Sequence, residues 1–172
     1  AAAYATVRAL GLSTAAAVEG LMSFPGLAHR MEPIGALGDV RFINDSKATN
    51  IDAARQAMSS FPRFRWIAGG RPKSEAFTSL ADLFANVTKA YLIGEAAPLI
   101  AEALDGQAVH AQFAGLRAAV EAAFADARAT GDPEVVLFSP ACSSFDQFAD
   151  FEARGEAFRA AVAALAPLPS PV

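Results

Sequence analysis

Val40-Arg-Phe-Ile-Asn44-Asp-Ser-Lys-Ala-Thr-Asn50-Ile-Asp-Ala-Ala-Arg-Gln-Ala-Met58 runs from an apolar stretch through a polar turn into a helical pattern. Val40 to Ile43 has the length of a strand. Ile51, Ala54 and Met58 then recur at the three- and four-residue spacing of one helix face. Between them the turn Asn44 to Asn50 offers Thr49 as an N-cap, with Asp52 three residues on as a capping-box-like partner. A strand leading directly into a helix is half of a βαβ unit, and the pattern repeats along the chain.

Further apolar runs occur at Arg65 to Ala68, Ala90 to Ile93, Ala108 to Phe113 and Val135 to Phe138. Helical patterns separate them: Phe77, Leu80, Leu83 and Phe84; Ala97 to Leu104; Leu116, Val120 and Phe124 at four-residue intervals. A last helix, from about Asp150 to Leu165, carries Phe151, Phe158, Val162 and Leu165 on one side. The tail Pro167 to Val172 cannot continue it. Strands without polar alternation suit a sheet covered on both faces. Their alternation with helices predicts an α/β fold, a Rossmann-like open and mostly parallel sheet flanked by helices.

Two shorter helices precede this region. The first spans Ala1 to Leu10 and is stopped by Gly11. The second is N-capped by Ser13 and carries Val18, Leu21 and Met22. Phe24-Pro-Gly26 ends it, and the Gly- and Pro-bearing segment up to Gly38 has neither helical nor strand period. The expected organisation is therefore residues 1–25 as two orphan helices with an apolar face left uncovered, residues 26–38 as an interdomain linker, and residues 39–172 as the α/β domain. The chain begins without Met inside a helical pattern, and is expected to be a piece of a longer polypeptide.

Composition excludes several classes. Hydrophobic residues make up 53% of the 172, enough for a full core. No apolar run reaches the roughly 18 to 20 residues of a membrane span. The opening stretch lacks the basic leader of a signal peptide, so a cytoplasmic location is expected. A net charge of -4 without a basic stripe gives no footprint for nucleic acid. The single cysteine, Cys142, excludes an internal disulfide, and with His29 and His110 far apart no protein metal site is expected. Cys142 reads as a buried small hydrophobe rather than a nucleophile. His110 reads as structural.

Ligands of open parallel sheets bind beyond the carboxyl ends of the strands. Three of the strands are followed there by polar, Gly- or Ser-rich segments: Asn44 to Asn50, Gly69-Gly-Arg-Pro-Lys-Ser74, and Ser139-Pro-Ala-Cys-Ser-Ser-Phe-Asp146. The other two are followed by blander turns. Lys47, in a tight turn, calls for an anionic partner. Gly69 to Ser74 is not a Walker-type loop, because Pro72 removes a backbone donor and no Gly stands directly before Lys73. It suits a loop that presents Lys73 at a helix N-terminus, where ammonium and helix dipole attract one carboxylate. Ser143 and Ser144 are positioned to cap a helix beginning near Phe145. His29-Arg30 reads locally as a surface pair, although an Arg on a linker can reach a phosphate held by a neighbouring domain.

Phe24-Pro-Gly-Leu-Ala-His-Arg-Met-Glu32, Asn44-Asp-Ser-Lys-Ala-Thr-Asn50, Gly69-Gly-x-x-Lys-Ser74 and Leu137-Phe-Ser-Pro-Ala-Cys-Ser-Ser-Phe-Asp-Gln-Phe148, followed by Phe151-Glu-x-Arg-Gly155, resemble in order and spacing the Mur ligase family, in particular its D-glutamate-adding branch. The resemblance covers Phe24 to Phe158. It implies the C-terminal domain of a three-domain enzyme, with residues 1–25 closing the central ATPase domain. The implied reaction uses ATP and Mg2+, whose phosphate loop and metal ligands lie outside this chain. It joins D-glutamate to UDP-N-acetylmuramoyl-L-alanine through an acyl phosphate.

Matched position by position, the resemblance assigns Lys73 and Ser144 to the D-glutamate side-chain carboxylate, with Thr49 beside them and Phe151 contributing through its backbone. Arg30 and Asp45 fall at nucleotide-contacting positions. Lys47 falls at a motif position with an electrostatic role in catalysis, while His29 and Ser46 carry no assigned role. Two departures stand out: Arg71-Pro72 replaces Asp-Gly or similar small residues, and Ser143 stands where Ala is common. The isolated chain is expected to be inactive. The alternative is a non-enzymatic Rossmann-like module that binds a small anion or a partner.

Overall fold

The computed structural model describes residues 2–73 and 76–165. Ser74 and the Pro167 to Val172 tail, both mentioned above, lie outside them. The elements in chain order are α1 (Ala2–Ala9), α2 (Thr14–Ser23), β1 (Glu32–Leu37), β2 (Val40–Asn44), α3 (Ile51–Met58), β3 (Phe64–Gly69), a 3₁₀ helix (Phe77–Asn86), β4 (Val87–Ile93), α4 (Ala97–Leu104), β5 (His110–Gln112), α5 (Leu116–Arg128), β6 (Glu134–Phe138) and α6 (Phe151–Ala163). The strands form one sheet in the order β1-β2-β6-β3-β4-β5. All neighbours are parallel except β1 and β2.

The central strands β3 and β6 are buried at every position, which is why Trp66 to Ala68 and Val135 to Phe138 read as unbroken apolar runs. One face is covered by α3, the 3₁₀ helix and α4, around Trp66, Phe84 and Leu92. The other is covered by α5 and α6, where Phe138 and Phe158 stack with ring centroids 4.7 Å apart. The Trp66 indole Nε1, fully buried, donates to the Ser139 carbonyl at 2.8 Å and fixes the end of β6 over β3.

Four local expectations need correction. The Gly26 to Gly38 segment is not linker throughout, because residues 32–37 form the edge strand β1, with a register shift between Pro33 and Gly35. Proline is tolerated at such an irregularity and on an edge, and it hides the strand from a period-2 reading. The Phe77 to Asn86 helix is 3₁₀, matching the three-residue repeat of Phe77, Leu80 and Leu83. Helix α3 is capped by Asn50, whose side chain accepts from the Ala53 amide at 2.8 Å, rather than by Thr49. Finally, no helix starts at Phe145: the amides of Gln147 and Phe148 donate to the Ser144 carbonyl in a turn, and α6 begins at Phe151 with Asp150 as its cap.

Helices α1 and α2 pack on each other, and Ser13 caps α2 as expected. Leu10, just after α1, and Val18, Leu21 and Met22 of α2 are exposed. No described helix is long and apolar enough to cross a membrane.

Candidate functional site

Because β6 lies between β2 and β3, the polar segments after these strands emerge side by side. They are laced together through their backbones. The Asp45 amide donates to the Phe138 carbonyl at 2.8 Å, and the Gly69 amide to the Pro140 carbonyl at 2.9 Å. Arg71 and Ser143 exchange amide-to-carbonyl bonds at 2.9 and 3.1 Å. Only glycine fits at position 70: with φ at 134°, an added Cβ would run into the Ser143 carbonyl oxygen and come within 3.1 Å of the Cys142 Cβ.

Beneath these loops lies Arg154, which is 1% exposed. Its Nε donates to the Ser46 hydroxyl at 3.1 Å, Nη2 to the Ser46 carbonyl at 2.8 Å and Nη1 to the Cys142 carbonyl at 3.0 Å. One planar guanidinium on α6 thus fastens the β2 loop to the β6 loop, a task suited to its fixed fork of donors. Burial lowers its pKa to about 10. Ser46 in turn donates its hydroxyl to the Phe151 carbonyl at 2.8 Å. These two residues carried no assigned role in the sequence reading. The signal for Arg154 was available as a charged side chain on the apolar stripe of α6, one turn before Phe158.

The Asp45 carboxylate is buried and engaged at both oxygens. Oδ2 accepts from the Ser139 hydroxyl at 2.8 Å and Oδ1 from the Met31 amide at 3.1 Å. Burial raises its pKa above the ordinary carboxylate value, and the hydrogen bonds and the Arg30 charge only partly offset this. Arg30 itself is exposed between His29 (φ 60°) and Met31 (φ 47°), two non-glycine residues with left-handed backbone. Such conformations cost on the order of 1–3 kcal/mol each and persist only where surroundings hold them. Here Asp45 holds Met31, while Glu32 Oε2 accepts from the His29 amide at 3.0 Å. A cleft of about 370 Å³ lies between Arg30, Asp45, Lys47 and α3 residues Ala53 and Gln56.

His29 is buried against α6. Asn44 accepts from the Ser46 amide through Oδ1, so its Nδ2 faces His29 Nδ1 at 3.0 Å, and His29 Nε2 lies 3.4 Å from Glu156. The expected surface pair His29-Arg30 is therefore split: Arg30 is exposed and His29 is 4% exposed.

Lys47 is half-buried, and its Nζ stands 3.6 Å from the centroid of the Phe151 ring. Thr49 is half-buried on the same turn, its amide donating to the Lys47 carbonyl at 2.8 Å. Ser144 is buried in the segment after β6, and Lys73 is exposed in the segment after β3. The helix that follows Lys73 is 3₁₀ and lacks a side-chain cap, so the α-helix dipole invoked for that residue is replaced by a weaker end. Cys142 is fully buried and burial pushes its thiol up to about 12, in keeping with its reading as a small hydrophobe. His110 Nδ1 contacts the Ala108 carbonyl at 3.0 Å, a local contact consistent with a structural role.

A model of the family described as Mur ligase, glutamate ligase domain, matches residues 29–142, from His29 in the strained turn to Cys142 in the β6 loop. The chain belongs to the Mur ligase family. A UDP-N-acetylmuramoylalanine–D-glutamate ligase of Phenylobacterium zucineum (strain HLK1) is 63% identical over 166 residues, covering 96% of this chain and 35% of that protein. The protein of the same name from Caulobacter sp. (strain K31) is 64% identical over 162 residues, covering 94% and 34%. This Mur ligase chain thus spans about a third of the length of the curated relatives it matches. Among solved structures, a pseudomurein peptide ligase type C from Methanothermus fervidus superposes with a TM-score of 0.60 at 16% identity, covering 95% of this chain and 34% of that one. A bifunctional folylpolyglutamate synthase/dihydrofolate synthase from Yersinia pestis CO92 gives 0.56 at 24% identity, covering 87% and 34%. These two share the Mur ligase fold of this chain.

Proposed function

We propose that this chain is the amino-acid-binding lobe of an ATP-dependent ligase that adds D-glutamate to UDP-N-acetylmuramoyl-L-alanine. The observation that carries the proposal is the convergence of the β2, β3 and β6 loops in a chain more than 60% identical to ligases of that name. Residues 1–25 close the central ATP-binding domain, which covers the apolar face of α1 and α2. The hinge is residues 26–31, and the sheet domain begins with β1.

In this reading ATP phosphorylates the carboxylate of the precursor, giving an acyl phosphate and ADP. The amine of D-glutamate attacks the acyl carbon, and the tetrahedral intermediate collapses to an amide and inorganic phosphate. Lys73 and the Ser144 hydroxyl hold the D-glutamate side-chain carboxylate as charge-assisted donors, with Thr49 alongside and the Phe151 backbone completing the pocket. Arg30 and Asp45 meet the nucleotide when the lobes close, and Lys47 stabilises charge near the reacting groups. Mg2+ for this reaction would be held by groups outside this chain. Joining two bound groups relies on positioning and on excluding water, both of which closure supplies. By itself the lobe turns nothing over.

The test is kinetic, in the full-length ligase. Lys73→Ala and Ser144→Ala raise the KM for D-glutamate while the KM for ATP stays put, the signature of lost substrate donors. Wild-type D-glutamate kinetics in both variants would refute the site assignment. On the isolated chain, an NMR titration with D- and L-glutamate reads the same pocket. Shifts near Ser144 and Phe151 with the D-isomer alone support the lobe, whereas equal shifts with both isomers support a general anion module.

A further inference from the structure

Arg71 is the charged residue of the β3 loop that the proposed chemistry leaves unused, and it is held more tightly than a surface side chain needs to be. Its guanidinium meets Glu95 in a fork, Nε to Oε2 at 3.2 Å and Nη2 to Oε1 at 3.1 Å. Glu95 lies in the turn after β4, and its amide donates to Asp146 Oδ2 at 3.1 Å. Asp146 belongs to the same loop as Ser144. The turn is tied back to the β3 loop as well, since the Ala96 amide donates to the Gly70 carbonyl at 2.8 Å. The backbone of Arg71 is paired in both directions with Ser143, and the Ser143 hydroxyl also donates to the Arg71 carbonyl, at 3.2 Å. Segments 70–71, 95–96 and 143–146 therefore form a closed ring of bonds, in which Arg71, like Glu95 and Ser143, takes part through both backbone and side chain.

The position of Arg71 in the chain gives the ring a purpose. Only Pro72 separates it from Lys73, and proline fixes its own φ near −65°, leaving one fewer free backbone torsion between the two residues. The Arg71–Glu95 fork that sets Arg71 thereby narrows the range of positions open to Lys73. Lys73 is exposed, so burial of its own side chain does little to hold it there.

We propose that the Arg71–Glu95 pair is a positioning clamp for the amino-acid substrate, keeping Lys73 in register with Ser144 across the β3 and β6 loops. The proposal rests on the D-glutamate pocket described above. It makes Arg71 and Glu95 positioning residues that touch no substrate. The clamp lowers the ordering cost of binding and leaves the chemical step alone.

In the full-length ligase, Arg71→Ala and Glu95→Gln raise the D-glutamate KM by about two- to fivefold, the range of a half-exposed bidentate pair, with kcat and the ATP KM unchanged. The charge-swapped R71E/E95R variant moves back toward wild type. The difference between wild type and Arg71→Ala shrinks in about 1 M salt, where the Debye length is about 3 Å. An unchanged D-glutamate KM in both single variants overturns the clamp. So does a parallel rise in the ATP KM, which would mean general loosening. Lys73→Ala is measured alongside. If it raises the D-glutamate KM and Arg71→Ala does not, the clamp alone falls. If Lys73→Ala has no effect, the pocket and the clamp fall together.

Discussion

Replacing Gly155 with Ala inside a helix is ordinarily stabilising by about 1 kcal/mol, because glycine gives up more backbone freedom. In this protein the sign reverses. An added Cβ at position 155 would lie 2.7 Å from Cε1 and Cγ of the His29 ring and closer still to Nδ1. The ring cannot swing aside, since it is 4% exposed and held by Asn44 at 3.0 Å. Inserting a methyl group into such packing costs about 1–3 kcal/mol. Breaking the Asn44–His29 hydrogen bond adds roughly 1 kcal/mol. Against the propensity gain, Gly155→Ala is expected to destabilise the chain by about 2 kcal/mol, lowering the thermal midpoint by roughly 4–8 °C for a domain of this size. In a His29→Ala background the clash is gone, and the same substitution is expected to stabilise by up to about 1 kcal/mol. Urea denaturation of the wild type, the two single variants and the double variant measures this coupling. If Gly155→Ala shifted stability by the same amount with and without the His29 ring, the packing argument would be wrong.

Arg154→Ala removes three hydrogen bonds and strands the Ser46 and Cys142 carbonyls, so it should cost about 3 kcal/mol or more. Arg154→Lys recovers less than half of this in the same denaturation assay, because an ammonium cannot span both loops. Cys142, buried and with its thiol pushed up to about 12, should resist alkylation in the native chain at pH 8, with labelling following unfolding by urea; rapid modification of folded protein would contradict that burial. Asp45 is a carboxyl whose folded pKa is raised above its unfolded value of about 3.8, so the folded state holds the proton more tightly. The stability this gives is present below pH 3.8 and lost as pH rises through the raised pKa. Asp45→Asn should therefore gain on wild type as pH rises across that window, and a gap that narrowed instead would reverse the assigned direction.

The sheet was legible because β3 and β6 are covered on both faces, so burial wrote itself into Trp66-Ile-Ala68 and Val135 to Phe138 as uninterrupted apolar residues. The grouping of the three polar loops was legible for the same reason: parallel strands send their carboxyl ends one way. Strand β1 was not, since Pro33 and Gly35 sit at its irregularity and half of it faces solvent. The exact cap of α3 escaped because Thr49 and Asn50 are both good caps, and only the onset of helical backbone at Ile51 chooses between them. Inside the chain the Phe151 carbonyl accepts from Ser46, and its ring receives the Lys47 ammonium. That pairing joins residues far apart in sequence, as does the path from Arg154 to Ser46. Local pattern carries no information about such contacts.

The place of β6 in the sheet has a consequence for how a nascent chain matures. Strands β2 and β3 are synthesised early, yet each pairs with β6, and neither pairs with the other. A growing chain therefore carries an open slot until residues 134–138 have emerged, and non-local pairing of this kind is slow to form. Arg154 comes later still, on the last helix. The floor of the site is consequently the final part of the domain to be built. Because Arg154 ties Ser46 to Cys142, displacing α6 would release the β2 and β6 loops together.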